Sequence, residues 1–255
     1  MIRLLTTYYQ ETNSARRAEY DQCLQLNIDC PAIDEIVIFN EGAGQVSTHK
    51  KVRTVPTQKR PSYSQFFDYI NRCTVACDIN IVANTDIYFD ASIGVLDHLD
   101  LTCACLALSR WDVGSGETRL FDRNDSQDCW IFRGRIKEVE AGFNVGVPRC
   151  DNRIAYELEK AGYRVLNPSF SIRAYHLHSG VRAEYNADNL SHFVPPPYKY
   201  VWPHNLYGIG RTAVHNIRHR GARLGYRVDT RKLKQCIPCR VARRLVRAVV
   251  AAPGG

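Results

Sequence analysis

Three apolar runs in the first ninety residues alternate with two helical patterns, and each run ends in polar side chains. The runs are "IRLLTTYY" (2–9), "IDEIVIFNEG" (33–42) and "INIVANTDIYFD" (79–90). Between them, "NSARRAEYDQCLQLNI" offers a capping Asn13 or Ser14 and apolar positions at Ala15, Ala18, Cys23, Leu24 and Leu26. "RPSYSQFFDYINRC" opens with Pro61 in its first turn and directs Phe66, Phe67 and Ile70 inward. Strand, helix, strand, helix, strand is the pattern of a parallel sheet with crossover helices. Such sheets bind ligands beyond the carboxyl ends of their strands. Thr6, Thr7 and Tyr8, then Asn40 and Glu41, then Asn84, Thr85 and Asp86 are therefore brought to one edge as a candidate site.

The second half continues in the same style. "CACLALSRW" reads as a strand, "DVGSGETRLFDRND" as a polar loop and "CWIFRG" as a short aromatic strand. "CDNRIAYELEKAGYRVL" is a helix from Asp151 or Asn152 that stops near Gly162 and runs into a strand; "FSIRAYHLH" closes the domain. With 255 residues, 45% of them hydrophobic, the chain is long enough for one large α/β domain plus an extension. The opening "MIRLLTTYYQETNSARR" turns polar too early for a signal sequence, and no apolar run is long enough to span a bilayer. A cytoplasmic protein with reduced cysteines is expected. Cys73, Cys77, Cys103 and Cys105 sit in apolar surroundings of the sequence and read as small hydrophobes.

An aspartate at a strand end, with a second four residues on, suits a hard divalent cation that takes one or two carboxylates plus phosphate oxygens. Asp86 is the metal candidate; Asp90 reads equally well as the cap of the following helix. "NTDIYFD" after an apolar strand resembles the D-x-D region of the GT-A fold glycosyltransferases, the nucleotide-diphospho-sugar transferase superfamily. A second likeness lies in "CDNRIAYELEKAGYRVLNPSFSIRAYHLH": an acid at Asp151 opening a helix, then "AGYR" (161–164), a strand, Pro168, and His176 or His178. The resemblance covers about residues 1–185 and implies a GT-A-like (Rossmann-like), mostly parallel sheet flanked by helices.

It further implies a Mn or Mg ion held by Asp86 with His176 or His178, a nucleotide-diphosphate sugar as donor, with UDP as the first nucleotide to consider, and Asp151 as the base that deprotonates the acceptor. Asp128, with Asp125 and Gln127 beside it, is the second candidate base. The nucleotide would be met by Thr6, Thr7, Tyr8, Asn40, Glu41, Asn84 and Thr85, by Lys59 and Arg60 just before a helix N-terminus, and by Arg110. Asn84 departs from the motif, replacing its first acid with a neutral amide. Trp130 offers either an apolar face to a sugar or core packing.

Residues 201–255 hold twelve Lys and Arg against the single acid Asp229, a balance of +11 within a whole-chain charge of +8, which leaves −3 for residues 1–200. The domain is accordingly set at 1–200 and the basic extension at 201–255. In "CRVARRLVRAVVAA", Val241, Leu245 and Val249 share a row opposite Arg240, Arg243, Arg244 and Arg247, a basic amphipathic helix that fits an anionic membrane surface or packs back on the domain. A lipid-linked or glycan acceptor in cell-surface polysaccharide synthesis accords with that tail. Two alternatives stand beside the transferase. One is a nucleotidyltransferase, disfavoured because "TTYYQETNSARR" has Arg16 and Arg17 but no glycine for a phosphate loop. The other is a zinc or nucleic-acid module built on His215, His219, Cys236 and Cys239.

Overall fold

The computed structural model describes residues 1–42, 44–114, 117–177 and 193–206, all of which belong to one compact unit. His178, the amphipathic basic stretch, and His215, His219, Cys236 and Cys239 lie outside the described residues. The chain runs β1 (Ile2–Tyr9), α1 (Ser14–Asp29), β2 (Glu35–Glu41), β3 (Val52–Pro56), α2 (Tyr63–Cys73) and β4 (Ile79–Ala83). β5 (Ile87–Phe89) and a 3-10 helix (Ala91–His98) lead to β6 (Ala104–Leu108), β7 (Arg110–Val113), β8 (Thr118–Leu120) and β9 (Cys129–Arg133). α3 (Cys150–Lys160), β10 (Arg164–Leu166) and β11 (Ala174–Leu177) follow.

Seven strands form one sheet in the order β10-β6-β9-β4-β1-β2-β3. Every pairing in it is parallel except those of β9, which runs antiparallel to both β4 and β6. This is the mostly parallel α/β sheet flanked by helices that the sequence led us to expect. Strand periodicity divides the core between the two faces. Leu4, Ile36, Ile38, Ile81, Leu106 and Ile131 pack on one side with Tyr20 and Ile28 of α1. Leu5, Val37, Phe39, Val82 and Phe132 pack on the other with Tyr63, Phe66 and Ile70 of α2 and Ile154 and Leu158 of α3. A second, four-stranded sheet, β5-β11-β7-β8, stands at the carboxyl edge of the first.

Several local readings change. α1 turns Glu19, Tyr20, Cys23, Asn27 and Ile28 inward, while Ala15 and Ala18 are exposed. Its buried polar groups have partners: Asn27 donates to the Ile87 carbonyl (2.9 Å) and accepts from the Phe89 N–H (3.1 Å), clamping β5 to the helix. Pro61 precedes α2 instead of opening it; Ser62 is the cap, in a reciprocal capping box with Gln65. α3 begins at Cys150, so Asp151 lies inside the first turn and is not the cap. The polar loop 112–125 contains the second half of β7 and all of β8. Cys105 is buried as expected, but Cys73, Cys77 and Cys103 are exposed, because the first ends a helix and the other two lie in turns. Asp90 does cap the 3-10 helix, accepting from the Ser92 N–H at 2.9 Å. No helix among the described residues is long and apolar enough to cross a membrane.

Candidate active site

A cavity of about 330 Å³ opens beyond the carboxyl ends of β1 and β4, bounded on its far side by the 145–151 segment that leads into α3. Alternation along β1 decides which strand-end residues reach it. Thr7 lines the cavity and its hydroxyl meets that of Thr85 at 2.8 Å. Thr6 and Tyr8 point to the opposite face, toward α1, where the Tyr8 hydroxyl donates to Asp21. Asn40 folds back on its own turn, donating to the Gly44 carbonyl at 2.7 Å. Glu41 is half-buried outside the cavity lining, its pKa raised by burial against the pull of Arg60.

Lys59 is exposed and away from the cavity, whereas Arg60 lines it and lies over the Tyr9 ring, 5.3 Å from its centroid. The anion site expected at the start of α2 is not available. The N–H groups of Tyr63 and Ser64 donate to the carbonyls of Phe143 and Ala141, and that of Gln65 donates to the Ser62 hydroxyl. Arg60 therefore acts by its own charge, without a free helix terminus beside it.

Asn84, Thr85 and Asp86 all line the cavity. Asp86 is 5% exposed, and its Oδ2 lies 3.3 Å from His176 Nε2 and 3.5 Å from Arg16 Nη2. His176 is fully enclosed on β11 and meets Asp112 Oδ1 through Nδ1 at 2.9 Å. Burial pulls the His176 pKa down, but Asp112 and Asp86 more than reverse it, to about 8.

On the other flank, Arg110 donates to Asp112 Oδ1 (2.8 Å) and approaches Asp128 Oδ2 (3.4 Å). Asn84 donates from Nδ2 to Asp128 Oδ1 at 3.0 Å. The departure from the acidic motif now has a physical reason. A carboxylate at 84 would face the Asp128 carboxylate at hydrogen-bond distance, where two like charges repel. Asp128 is 4% exposed and held by both an amide and a guanidinium.

Asp151 is different. It lines the cavity and accepts the backbone N–H groups of Gln127 (3.2 Å) and Asn152 (2.9 Å). Burial raises its pKa to about 7, with Asp128 adding to the rise against those two hydrogen bonds. A carboxyl that is half ionised near neutral pH is suited to general-base work. Beneath it, Trp130 is 1% exposed, stacked edge-on to Tyr63 with ring centroids 5.0 Å apart, and forms part of the cavity floor.

The donor set fits a divalent cation in one respect. Asp86 Oδ2 at the cavity wall and His176 Nε2 enclosed behind it form an oxygen and nitrogen pair, and Asp112 holds the far ring nitrogen, as a carboxylate commonly does behind a metal-binding histidine. Among the described residues no group of three or more His, Cys, Asp or Glu side chains converges as a complete metal cage. The pair accordingly suits an ion such as Mg²⁺, which takes much of its coordination from phosphate oxygens and water.

Arg16, Tyr9, Tyr20, Asp112 and Arg149 were not among the residues expected at the site. Arg16 was findable: a helix that starts four residues after β1 ends must set its first turn over the strand ends. Arg149 lies at φ 70°, a left-handed conformation for a non-glycine residue at the cavity edge.

No protein-family model matches the chain, and no curated protein does. Among solved structures, the chain is similar to the mannosyltransferase PcManGT from Pyrobaculum calidifontis in complex with GDP-Man and Mn2+, at 13% identity and a TM-score of 0.46 over 74% of this chain and 59% of that one. It is similar to S. aureus TarS 1–349 in complex with UDP-GlcNAc, at 9% identity and a TM-score of 0.46, over 72% and 61% of the two chains. It is also similar to the Francisella tularensis 2-C-methyl-D-erythritol 4-phosphate cytidylyltransferase, at 11% identity and a TM-score of 0.40, over 75% and 97%. The match spans less than two thirds of the first two proteins.

Proposed function

We propose that this chain is a glycosyltransferase that moves a sugar from a nucleotide diphosphate to an acceptor hydroxyl. One observation carries the reading. Asp151, with a pKa of about 7, shares a single cavity with Asp86, which is backed by His176, and with Arg16, Arg60, Arg110 and Arg149. The arginines offset the charge of a diphosphate, and it is that charge which grows as the sugar departs. A divalent cation, Mn²⁺ or Mg²⁺, held by Asp86 and His176 would neutralise the leaving phosphate as a Lewis acid. Ionised Asp151 takes the acceptor's proton while the acceptor oxygen bonds to the anomeric carbon and the bond from that carbon to the phosphate oxygen breaks. With one base and direct displacement, the anomeric configuration inverts. Arg110 and Asn84 fix Asp128, which adds to the rise that burial gives the Asp151 pKa. UDP-sugars are the first donors to try. A glycan or lipid-linked hydroxyl at a membrane surface, within cell-surface polysaccharide synthesis, accords with the +11 balance of residues 201–255.

The test is release of nucleoside diphosphate from UDP-glucose, UDP-N-acetylglucosamine and GDP-mannose with Mn²⁺, compared with Asp151→Asn. Slow release by the native chain and loss in the variant is the expected result. Release of pyrophosphate from a nucleoside triphosphate plus a sugar phosphate would make the chain a nucleotidyltransferase instead. No turnover or binding of any nucleotide sugar would remove the transferase reading.

A further inference from the structure

We propose that Asp112 is the positioning residue of this site: it orients His176 toward Asp86 for a divalent cation and ties that pair to the Arg110–Asp128 flank. The inference rests on the transferase reading and concerns a residue that the motif resemblance does not include. Its first support is register. β11 lies between β5 and β7, and the small sheet pairs His176 with Ile87 on one side and with Asp112 on the other. Asp86 lies just before Ile87 and next to the row, its carbonyl accepting from the Leu177 N–H at 3.2 Å, while His176 and Asp112 are direct register partners. Backbone pairing thus sets the spacing of His176 and Asp112 before any side-chain contact is made, with Asp86 one residue off the row.

The second support is the way one oxygen is shared. Asp112 Oδ1 meets His176 Nδ1 at 2.9 Å and the Arg110 Nε at 2.8 Å. Accepting the Nδ1 proton fixes the ring's tautomer and directs Nε2 to Asp86. Accepting from Arg110 holds that guanidinium flat beside Asp128. The result is an unbroken chain of polar contacts running through Arg16, Asp86, His176, Asp112, Arg110 and Asp128. Asp112 is the link between the cation half and the base half. It is also the most exposed acid of the series, with a side chain 43% accessible against 6% for Asp86 and 5% for Asp128. Its substitution therefore disturbs little packing, which makes it a clean probe.

The experiment measures Mn²⁺ binding to the full chain by electron paramagnetic resonance, with UDP present, and UDP binding in EDTA by calorimetry. The native chain, Asp112→Asn, Asp112→Ala and His176→Ala are compared. Losing an outer carboxylate behind a metal-binding histidine costs ~10–100-fold in affinity. Asp112→Ala should lose that much Mn²⁺ affinity, Asp112→Asn less because its amide oxygen still accepts from Nδ1, and His176→Ala more. UDP binding in EDTA should change less than Mn²⁺ affinity in both Asp112 variants, since Asp112 reaches the diphosphate only through Arg110, whose other contact, with Asp128, remains. Native Mn²⁺ affinity in Asp112→Ala, alongside a loss in His176→Ala, would overturn the positioning role. Absence of Mn²⁺ binding by the native chain would overturn it too, while UDP binding in EDTA would leave the transferase reading standing. If UDP fails to bind under any condition, that reading itself falls.

Discussion

Asp151→Asn should stabilise the protein while removing its turnover. A carboxyl raised from 3.8 to about 7 is one that folding favours in its protonated form. Below the unfolded pKa both states carry the proton and there is no difference between them. As pH rises from about 4 to about 7 the unfolded chain has released a proton that the folded chain still holds, so stability falls with pH. Above the folded pKa the loss is complete and constant. A shift of this size corresponds to about 4 kcal/mol at 1.36 kcal/mol for each pH unit. Asparagine carries no charge, so it escapes that penalty, but it accepts the Gln127 and Asn152 N–H groups less strongly, at a cost of about 1–2 kcal/mol. The net gain above neutral pH is about 2 kcal/mol, on the order of 4–8 °C in melting temperature for a chain of this size. Melting temperatures of the two proteins across about pH 4 to 9 give the test. The gap should be absent or reversed at the acid end, widen toward neutrality and then level. A variant that melts below the native protein at the alkaline end, or a gap that ignores pH, would refute the burial of Asp151 as the origin of its pKa.

Three further expectations follow from named contacts. Asn84→Asp sets a second carboxylate 3.0 Å from Asp128 and should cost about 2 kcal/mol or more above neutral pH, less in acid where the pair takes up a proton; urea midpoints at the two pH values measure it. Arg16→Ala removes a guanidinium from the cavity and should weaken UDP binding in EDTA roughly tenfold by calorimetry; unchanged affinity would mean that Arg16 serves only its partners within the protein, Asp86, Glu19 and Tyr20. Asn27→Ala strands the Ile87 carbonyl and the Phe89 N–H and should lower stability by about 2–3 kcal/mol, and a urea midpoint equal to that of the native chain would dismiss the clamp on β5.

The large sheet was legible because its inner strands are buried on both faces and so appear as continuous apolar runs, "IRLL", "IVIF" and "INIVA". β3, "VRTVP", escaped notice because it is an exposed edge with polar side chains. The small sheet escaped for a related reason: β5, β7 and β8 are three or four residues long, and β7 and β8 are only partly covered. That sheet carries half of the site. Asp86 and Asp151 were visible because each begins or ends an element whose pattern is strong in sequence. Asp112 and the contacts of His176 were not, since they arise from pairing between strands 64 residues apart. The inward face of α1 misled because Asn27 is buried through partners on β5 that no local pattern specifies, and Glu19 is buried beside Arg16 one turn earlier.

The most direct test of the transferase reading is a crystal structure of the full chain with UDP and Mn²⁺. The diphosphate is expected in the cavity between Arg60 and Arg110, with the cation at Asp86 and His176 and the Asp151 carboxyl facing open space on the sugar side. A nucleotide bound outside that cavity, or a diphosphate remote from both arginines, would contradict it.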